Sequence, residues 1–366
     1  MKHSRKIIIF IPSIEGGGVE KNLFNITNFL SANLDNIFLI TCTTKFNKKF
    51  KNVNIISPKY KFWDKMSRKV KYTISILQLI NFIFFNRNIV VFAFQANIYA
   101  SLICKIFNTK IIIRSNSSPT GWVKNFFKKK IFEILFKIPN KIIVNSHSFR
   151  NELKLKFNIN STCIYNPLDK KKILYLASKK NRNNFFSKNK NFINIINVGR
   201  VVDQKDQITI LKALNEIKNK IKFKFIIIGQ GVSYKKIKEF ITINKLDKLV
   251  KIVPYQDNPF NLINKADLFI LSSKYEGLPN VLLEAITLKK FIISSNCPTG
   301  PKEILNNGKG GLLFPVGDFK NLSKKILFVK NNKNIMKRKT NFAYKNLTRF
   351  DYNFCLNQYL DLIKKI

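Results

Sequence analysis

Ser272-Ser273-Lys274-Tyr275-Glu276-Gly277-Leu278-Pro279-Asn280-Val281-Leu282-Leu283-Glu284-Ala285 is the most informative stretch of the chain. It follows an apolar, strand-like run at 268–271. Gly277 permits a sharp turn, and Pro279 suits the first turn of a helix, where a missing N–H costs nothing. A helix therefore opens near Pro279 and presents backbone N–H groups to an anion. Glu276 stands at its mouth and Glu284 lies in its second turn. Two carboxylates so placed can grip two hydroxyl-bearing parts of one long ligand. The plainer reading is that Glu276 caps the helix and Glu284 is solvated.

Working outward, the same scheme of short apolar run, turn and longer mixed segment fills the chain, the signature of parallel sheets flanked by helices. Strand-like runs fall at 6–11, 37–41, 89–94, 110–114 and 141–145, and again at 193–198, 223–228, 250–253, 268–271 and 291–294. Helical segments include 20–30 and 74–85, then 207–217, 234–244, 280–288 and 322–329. Asn166-Pro167 breaks the chain, and a Lys-, Asn- and Ser-rich segment follows. The expected organisation is an α/β chain of two doubly wound, Rossmann-like domains facing across a cleft. The first spans 1–168, a linker 169–191, and the second 192–345. A C-terminal helix at 346–366 is expected to pack back toward the first domain. Ligands in such sheets bind beyond the carboxyl ends of the strands.

Two more turns of the second half carry chemistry. Asn197-Val198-Gly199-Arg200-Val201-Val202-Asp203-Gln204-Lys205 leaves its first strand, with Gly199 to turn the backbone and two cations, Arg200 and Lys205, to suit a diphosphate. Ile228-Gly229-Gln230-Gly231 ends its second strand. It reads either as a plain tight turn or as a close pass by a nucleotide.

In order and spacing, these motifs resemble the donor-binding domain of family 4 glycosyltransferases, retaining enzymes of the GT-B fold. Gly199-Arg200…Lys205, Gly229-x-Gly231, Glu276…Glu284-Ala285, Cys297-Pro298-Thr299-Gly300-Pro301-Lys302-Glu303 and the trailing Gly310-Gly311…Gly317-Asp318 all match. The resemblance implies that Arg200 and Lys205 bind the donor diphosphate and that Glu276 contacts the transferred sugar near its reacting carbon. It further implies that Glu284 binds the ribose and that Tyr255 and Gln256 border the base. Gly199, Gly229, Gly231, Gly277, Leu278, Pro279, Asn280 and Val281 then line the donor site. UDP is the nucleotide expected from family habit, and the transferred group a hexose or N-acetylhexosamine. The leaving phosphate itself would deprotonate the acceptor.

The first half matches more loosely. Gly16-Gly17-Gly18-Val19-Glu20 follows the first strand and resembles the family's glycine-rich cleft loop. It reads equally as a turn with Glu20 in a helix first turn, where the dipole favours acid. Phe94-Gln95-Ala96-Asn97 and Arg114-Ser115-Asn116-Ser117-Ser118-Pro119 follow two later strands. They resemble loops of the subgroup that extends lipid-linked oligosaccharides. The acceptor side is therefore assigned to Gly17, Gly18, Glu20, Asn97, Arg114 and Asn116, with Arg114 and Asn116 standing where relatives place a histidine. His147 is expected to begin a helix.

Composition bounds the alternatives. The chain has 366 residues, 66 Lys and Arg against 20 Asp and Glu, and a formal net charge of +46. Such charge invites nucleic-acid binding. Yet Lys, Asn, Ile and Phe are enriched together, as A/T-rich codon drift produces, and arginine, the usual base reader, is scarce. A nucleic-acid binder also leaves Glu276 and Glu284 without a purpose, so no nucleic-acid partner is expected. A GT-B sugar-nucleotide epimerase shares the sheets but calls for acid–base groups in the first half. Five scattered cysteines without a C-x-x-C pair fit a reducing cytoplasm. With two histidines and no Asp-x-Asp motif, neither a metal nor a cofactor is expected. The partners expected are a nucleotide-sugar donor and a glycan or lipid-linked glycan acceptor. The mixed aromatic and lysine stretch at 122–137 reads as a core helix with lysines outside, or as an interfacial helix on an anionic membrane. The second version would make the enzyme peripheral on the inner face of the cytoplasmic membrane.

Overall fold

Strands buried on both faces dominate the chain: every residue of Ile89–Ala93 and of Leu268–Leu271 is buried. That is why they read as unbroken apolar runs rather than as alternating ones. In a computed structural model, which describes residues 5–15, 17–116, 125–179 and 185–366, these strands form two parallel sheets. Each sheet belongs to its own compact unit, one comprising Met1–Pro167 with Asn353–Ile366 and the other Leu168–Tyr352.

The first unit opens with β1 (Lys6–Phe10), α1 (Gly18–Asn33), β2 (Ile37–Ile40) and β3 (Asn54–Ile56). It continues with α2 (Arg68–Phe85), β4 (Ile89–Ala93), α3 (Asn97–Ile106) and β5 (Lys110–Ser115). Then come α4 (Phe126–Leu135), β6 (Lys141–Val144), α5 (His147–Phe157) and β7 (Thr162–Cys163). Its strand order is β3-β2-β1-β4-β5-β6-β7, with Ile8 opposite both Phe38 and Val91. Because the order reverses direction after β3, right-handed crossovers place α2 to α5 together on one face. Leu79 and Ile83 of α2, Ile103 of α3, Phe132 of α4 and Leu153 of α5 share one apolar cluster with Ile8 and Val91. His147 is the first residue of α5, behind a Ser146 cap whose Oγ accepts from Phe149 N at 3.1 Å.

The second unit holds α6 (Lys170–Ser178), β8 (Phe192–Val198), α7 (Gln207–Ile217), β9 (Lys222–Ile228), α8 (Tyr234–Ile243) and β10 (Val250–Val253). After them come α9 (Phe260–Lys265), β11 (Leu268–Leu271), α10 (Asn280–Thr287), β12 (Phe291–Ser295), α11 (Pro301–Ile304) and β13 (Leu312–Phe314). Helices α12 (Phe319–Asn331) and α13 (Lys333–Lys345) follow. The strand order is β10-β9-β8-β11-β12-β13.

The linker differs from the expectation drawn from composition. The first half of the supposed linker is α6, capped by Asp169, whose Oδ1 accepts from Lys172 N at 2.9 Å. Ile173 and Ala177 are buried, and Asn258 Nδ2 donates to Leu176 O at 2.9 Å. Lysines on its outer face hide an apolar face that fastens it to the second unit. At the other end, α14 (Tyr352–Lys364) lies with the first unit from Asn353 onward.

Candidate active site

The second sheet changes winding direction between β8 and β11, so the loops leaving these neighbours run apart and open a crevice at the carboxyl edge. Backbone pairing of β8 with β11 covers Ile195 with Leu268 and Ile196 with Phe269. Beyond that the strands are bridged by a side chain: Asn197 Nδ2 donates to Ile270 O at 2.8 Å. Gln207 Nε2 braces the next step, donating to Arg200 O at 3.0 Å.

Lys205 and Glu276, one from each loop, meet there. Lys205 Nζ lies 2.5 Å from Glu276 Oε1, with side-chain exposures of 16% and 8%. Ser273 Oγ donates to the same carboxylate oxygen at 2.6 Å, and Thr299 Oγ1 donates to the Glu276 carbonyl. Ser272 Oγ holds the Lys205 carbonyl at 2.8 Å. Gln204 Nε2 donates to Tyr275 O at 2.9 Å, while Lys274 N donates to Gln204 O at 2.8 Å. The two loops are thus laced together on both sides of the ion pair. Arg200 is exposed, its guanidinium 3.5 Å from Gln204 Oε1.

The glycines explain how the loops pack so closely. The stem of Lys205 lies over Gly199, 3.7 Å from where a Cβ would stand. A Cβ on Gly229, at φ +153°, would fall 1.9 Å from Gly199 O, and one on Gly231 would fall 2.3 Å from Val201 O. The close approach made by this Gly-x-Gly pair is to the neighbouring loop's backbone. Gly300, at φ +87°, meets Gly277 O and the Pro279 ring in the same way.

Helix α10 begins at Asn280 with Pro279 as its cap and no side-chain capping bond. Its opening amides at Asn280 and Val281 therefore lie at the carboxyl edge of the sheet. Leu278 is buried beneath the turn, and Glu284 is buried one turn into the helix. Tyr255 and Gln256 follow β10 at the far end of the sheet. Tyr255 is half exposed, and Gln256 Nε2 donates to Pro254 O and Tyr255 O of its own loop. Cys297 is fully buried, and burial, with the Glu276 charge adding to it, pushes its thiol up to about 12. It is inert at neutral pH.

In the first unit, Gly17 is the cap residue of α1 and Gly18 its first residue. Glu20 is buried in the first turn and folds back on Gly17, with Oε1 accepting from Glu15 N at 3.5 Å. Asn97 opens α3 and donates through Nδ2 to Arg114 O at 3.1 Å. Gly16 and residues 117–124, which include part of the aromatic and lysine stretch, lie outside the described residues.

Arg114 departs from its expected role. It is wholly buried and cannot face an acceptor. Ile111 and Ile113 of β5 face the cluster under α2 to α5, so the pleat turns Arg114 to the opposite face. There Nε donates to Tyr359 Oη of α14 at 3.0 Å and Nη2 donates to Asn166 Oδ1 at 2.6 Å. Its remaining partner is Asn116, whose Nδ2 in turn donates to Phe94 O at 3.3 Å. The pair Arg114 and Asn116 is a buried polar network anchoring α14. Sequence reading also gave no role to Ser273, Gln204 and Asn197; their one visible signal is position, at the end of β8 or in the loops that leave β8 and β11.

Residues 178–346 match the profile of the family described as Glycosyl transferases group 1. An uncharacterised glycosyltransferase of Methanocaldococcus jannaschii is 31% identical over 56% of this chain, and the match spans about half, 53%, of that relative's length. A Campylobacter jejuni enzyme named N-acetylgalactosamine-N,N'-diacetylbacillosaminyl-diphospho-undecaprenol 4-alpha-N-acetylgalactosaminyltransferase is 24% identical over 95% of this chain and 96% of its own. Among solved structures, Anabaena HepE in complex with UDP and glucose superposes with a TM-score of 0.80 at 16% identity, over 99% of this chain and 100% of that one. The chain has the GT-B fold of solved glycosyltransferases, and residues 178–346, within its second unit, match the glycosyl transferases group 1 family.

Proposed function

We propose that this enzyme moves a hexose or N-acetylhexosamine from a UDP-sugar to a glycan or lipid-linked glycan acceptor, with retention at the anomeric carbon and without a metal ion. The observation that carries the proposal is the meeting of Lys205 with Glu276 at the point where the sheet reverses. A cation and a carboxylate in one crevice suit a ligand with a charged diphosphate at one end and a hydroxyl-bearing ring at the other. Lys205 and Arg200, with the opening amides of α10, take the diphosphate. Glu276 accepts from hydroxyls of the transferred sugar and Glu284 from the ribose, while Tyr255 and Gln256 border the base. In the reaction the bond from the anomeric carbon to phosphate oxygen breaks and the acceptor oxygen bonds that carbon. The acceptor proton passes to the departing phosphate. Fixed positive groups stabilise the charge that builds on that phosphate, the electrostatic contribution that is usually largest.

The nucleotide and acceptor classes draw support from relatives. HepE was solved with UDP and glucose, and the Campylobacter enzyme is named for a diphospho-undecaprenol acceptor. A polyprenyl acceptor makes the enzyme peripheral on an anionic membrane surface, at the inner face of the cytoplasmic membrane. The test is a panel of UDP-, GDP-, ADP- and CMP-sugars read by thermal shift and donor hydrolysis, with and without a chelator. Stabilisation by UDP-sugars that survives the chelator is expected. A response confined to another nucleotide, or abolished by the chelator, overturns the corresponding part. The anomer of the product, read by NMR, decides the stereochemistry.

A further inference from the structure

Helices α2, α3 and α4 share one apolar cluster on one face of the first sheet. Their outer sides are not polar. On α2, Leu77 and Phe84 recur two turns apart; on α3, Tyr99 and Ile106 do the same; on α4, Ile131 and Ile134 stand side by side. Their exposures run from 56% at Ile131 to 78% at Ile106. Single exposed apolar residues need no explanation, but stripes on three adjacent helices of one layer do.

The charges among them are positive with a single exception. Lys69, Lys105, Lys128 and Lys130 are exposed on these helices, and Glu133 is the one carboxylate along all three. It pairs with Lys129 at 3.9 Å. A layer that offers large apolar side chains to solvent and rings them with lysines is complementary to a surface that is apolar inside and anionic at its rim. None of the described helices is long and apolar enough to cross a membrane.

We infer that the outer face of α2, α3 and α4 is a docking plane for an anionic lipid bilayer. The inference deepens the peripheral location proposed above and rests on it. It assigns contact to a three-helix face rather than to the 122–137 segment alone. The apolar stripes enter the headgroup boundary while the lysines meet lipid phosphates, each lysine strengthening binding about fivefold.

Flotation of the full chain with phosphatidylcholine vesicles, with and without phosphatidylglycerol, tests this at low and high salt. The wild type should float with the anionic vesicles and release as salt rises. A Leu77→Glu, Ile106→Glu, Ile131→Glu variant should lose more than about tenfold in vesicle affinity. Lys128→Gln with Lys130→Gln should lose about 25-fold. Both should hydrolyse soluble donor at the wild-type rate. A second readout needs no charge in the apolar stripe: a fluorophore on Ile131→Cys should be quenched by lipid-borne quenchers, and one on Ile243→Cys, an exposed position of the second unit, should not. No flotation at low salt sinks the peripheral location itself. Flotation that the triple variant leaves intact, with quenching at 243 instead of 131, leaves the location standing and overturns this face. A wild-type dimer that hides the face and ignores vesicles overturns it in favour of a second copy as the occupant.

Discussion

Lys205 and Glu276 are 71 positions apart in sequence and 2.5 Å apart in space, and each keeps the other's charge tolerable in a largely buried crevice. Such a pair does two jobs that mutation can separate. Lys205→Ala removes the cation proposed to meet the departing diphosphate and should lower turnover roughly 10²–10³-fold. It also strands the Glu276 carboxylate. Breaking a buried pair costs about 3–5 kcal/mol, and the residual exposure of Lys205 brings the expected loss toward the lower end. Adding Glu276→Gln should recover most of the thermal stability and none of the turnover. Stability and turnover recovering together would mean the pair is purely structural.

The glycines of the adjoining turn make a prediction with an internal control. At Gly229 a methyl group would overlap Gly199 O at 1.9 Å, and at Gly231 it would overlap Val201 O at 2.3 Å. Either alanine must push the Lys205 loop away, costing about 1–3 kcal/mol and disturbing donor binding. Gly317 also has positive φ, +77°, but no atom lies within 4 Å of its Cβ position. Gly317→Ala should therefore show only the backbone cost of roughly 1–2 kcal/mol, with donor affinity unchanged. Denaturant unfolding and UDP titration of the three variants measure the contrast.

Much of this was legible before any coordinates. Long central strands such as Phe223 to Ile228 announce themselves as apolar runs, and the turn at Gly277-Leu278-Pro279 shows where α10 must start. Three of the four edge strands did not show: β3, β7 and β13 are two or three residues each, too short for any pattern to emerge. The Lys205 contact with Glu276 was not legible either, because it depends on β8 lying beside β11. Arg114 illustrates the limit best. Its place after a strand suggested a loop facing ligand, but pleat parity and a helix some 240 positions later turn it inward.

Alkaline pH should unfold the protein earlier than its lysine content suggests. Burial pushes the Cys104 and Cys297 thiols from 9.0 up to about 12. Between these values the unfolded chain sheds protons that the folded chain keeps, so stability falls as pH rises. The contribution is complete below pH 9 and is lost progressively toward pH 12. Melting temperatures recorded across that window should decline less steeply in Cys104→Ala with Cys297→Ala. An unchanged slope would place the alkaline sensitivity elsewhere.

The Arg114 network predicts that α14 can be loosened without touching the donor site. Arg114 is a fully buried cation held by the neutral groups of Tyr359, Asn116 and Asn166. Tyr359→Phe removes one hydrogen bond to a charged group and should cost about 1.5–3 kcal/mol. Arg114→Ala empties a large buried volume and orphans three partners, so its cost should be greater. Tyr359 is itself buried, and burial holds its hydroxyl proton above the usual value of 10.0, with Arg114 opposing that shift. Stability from this tyrosine is therefore present below pH 10 and drains away above it, a slope that Tyr359→Phe should abolish. Protease nicking near 352 should rise in both variants, while UDP binding, proposed for the second unit, should stay within twofold of wild type. Loss of UDP binding in Tyr359→Phe would show that α14 does more than complete the first unit.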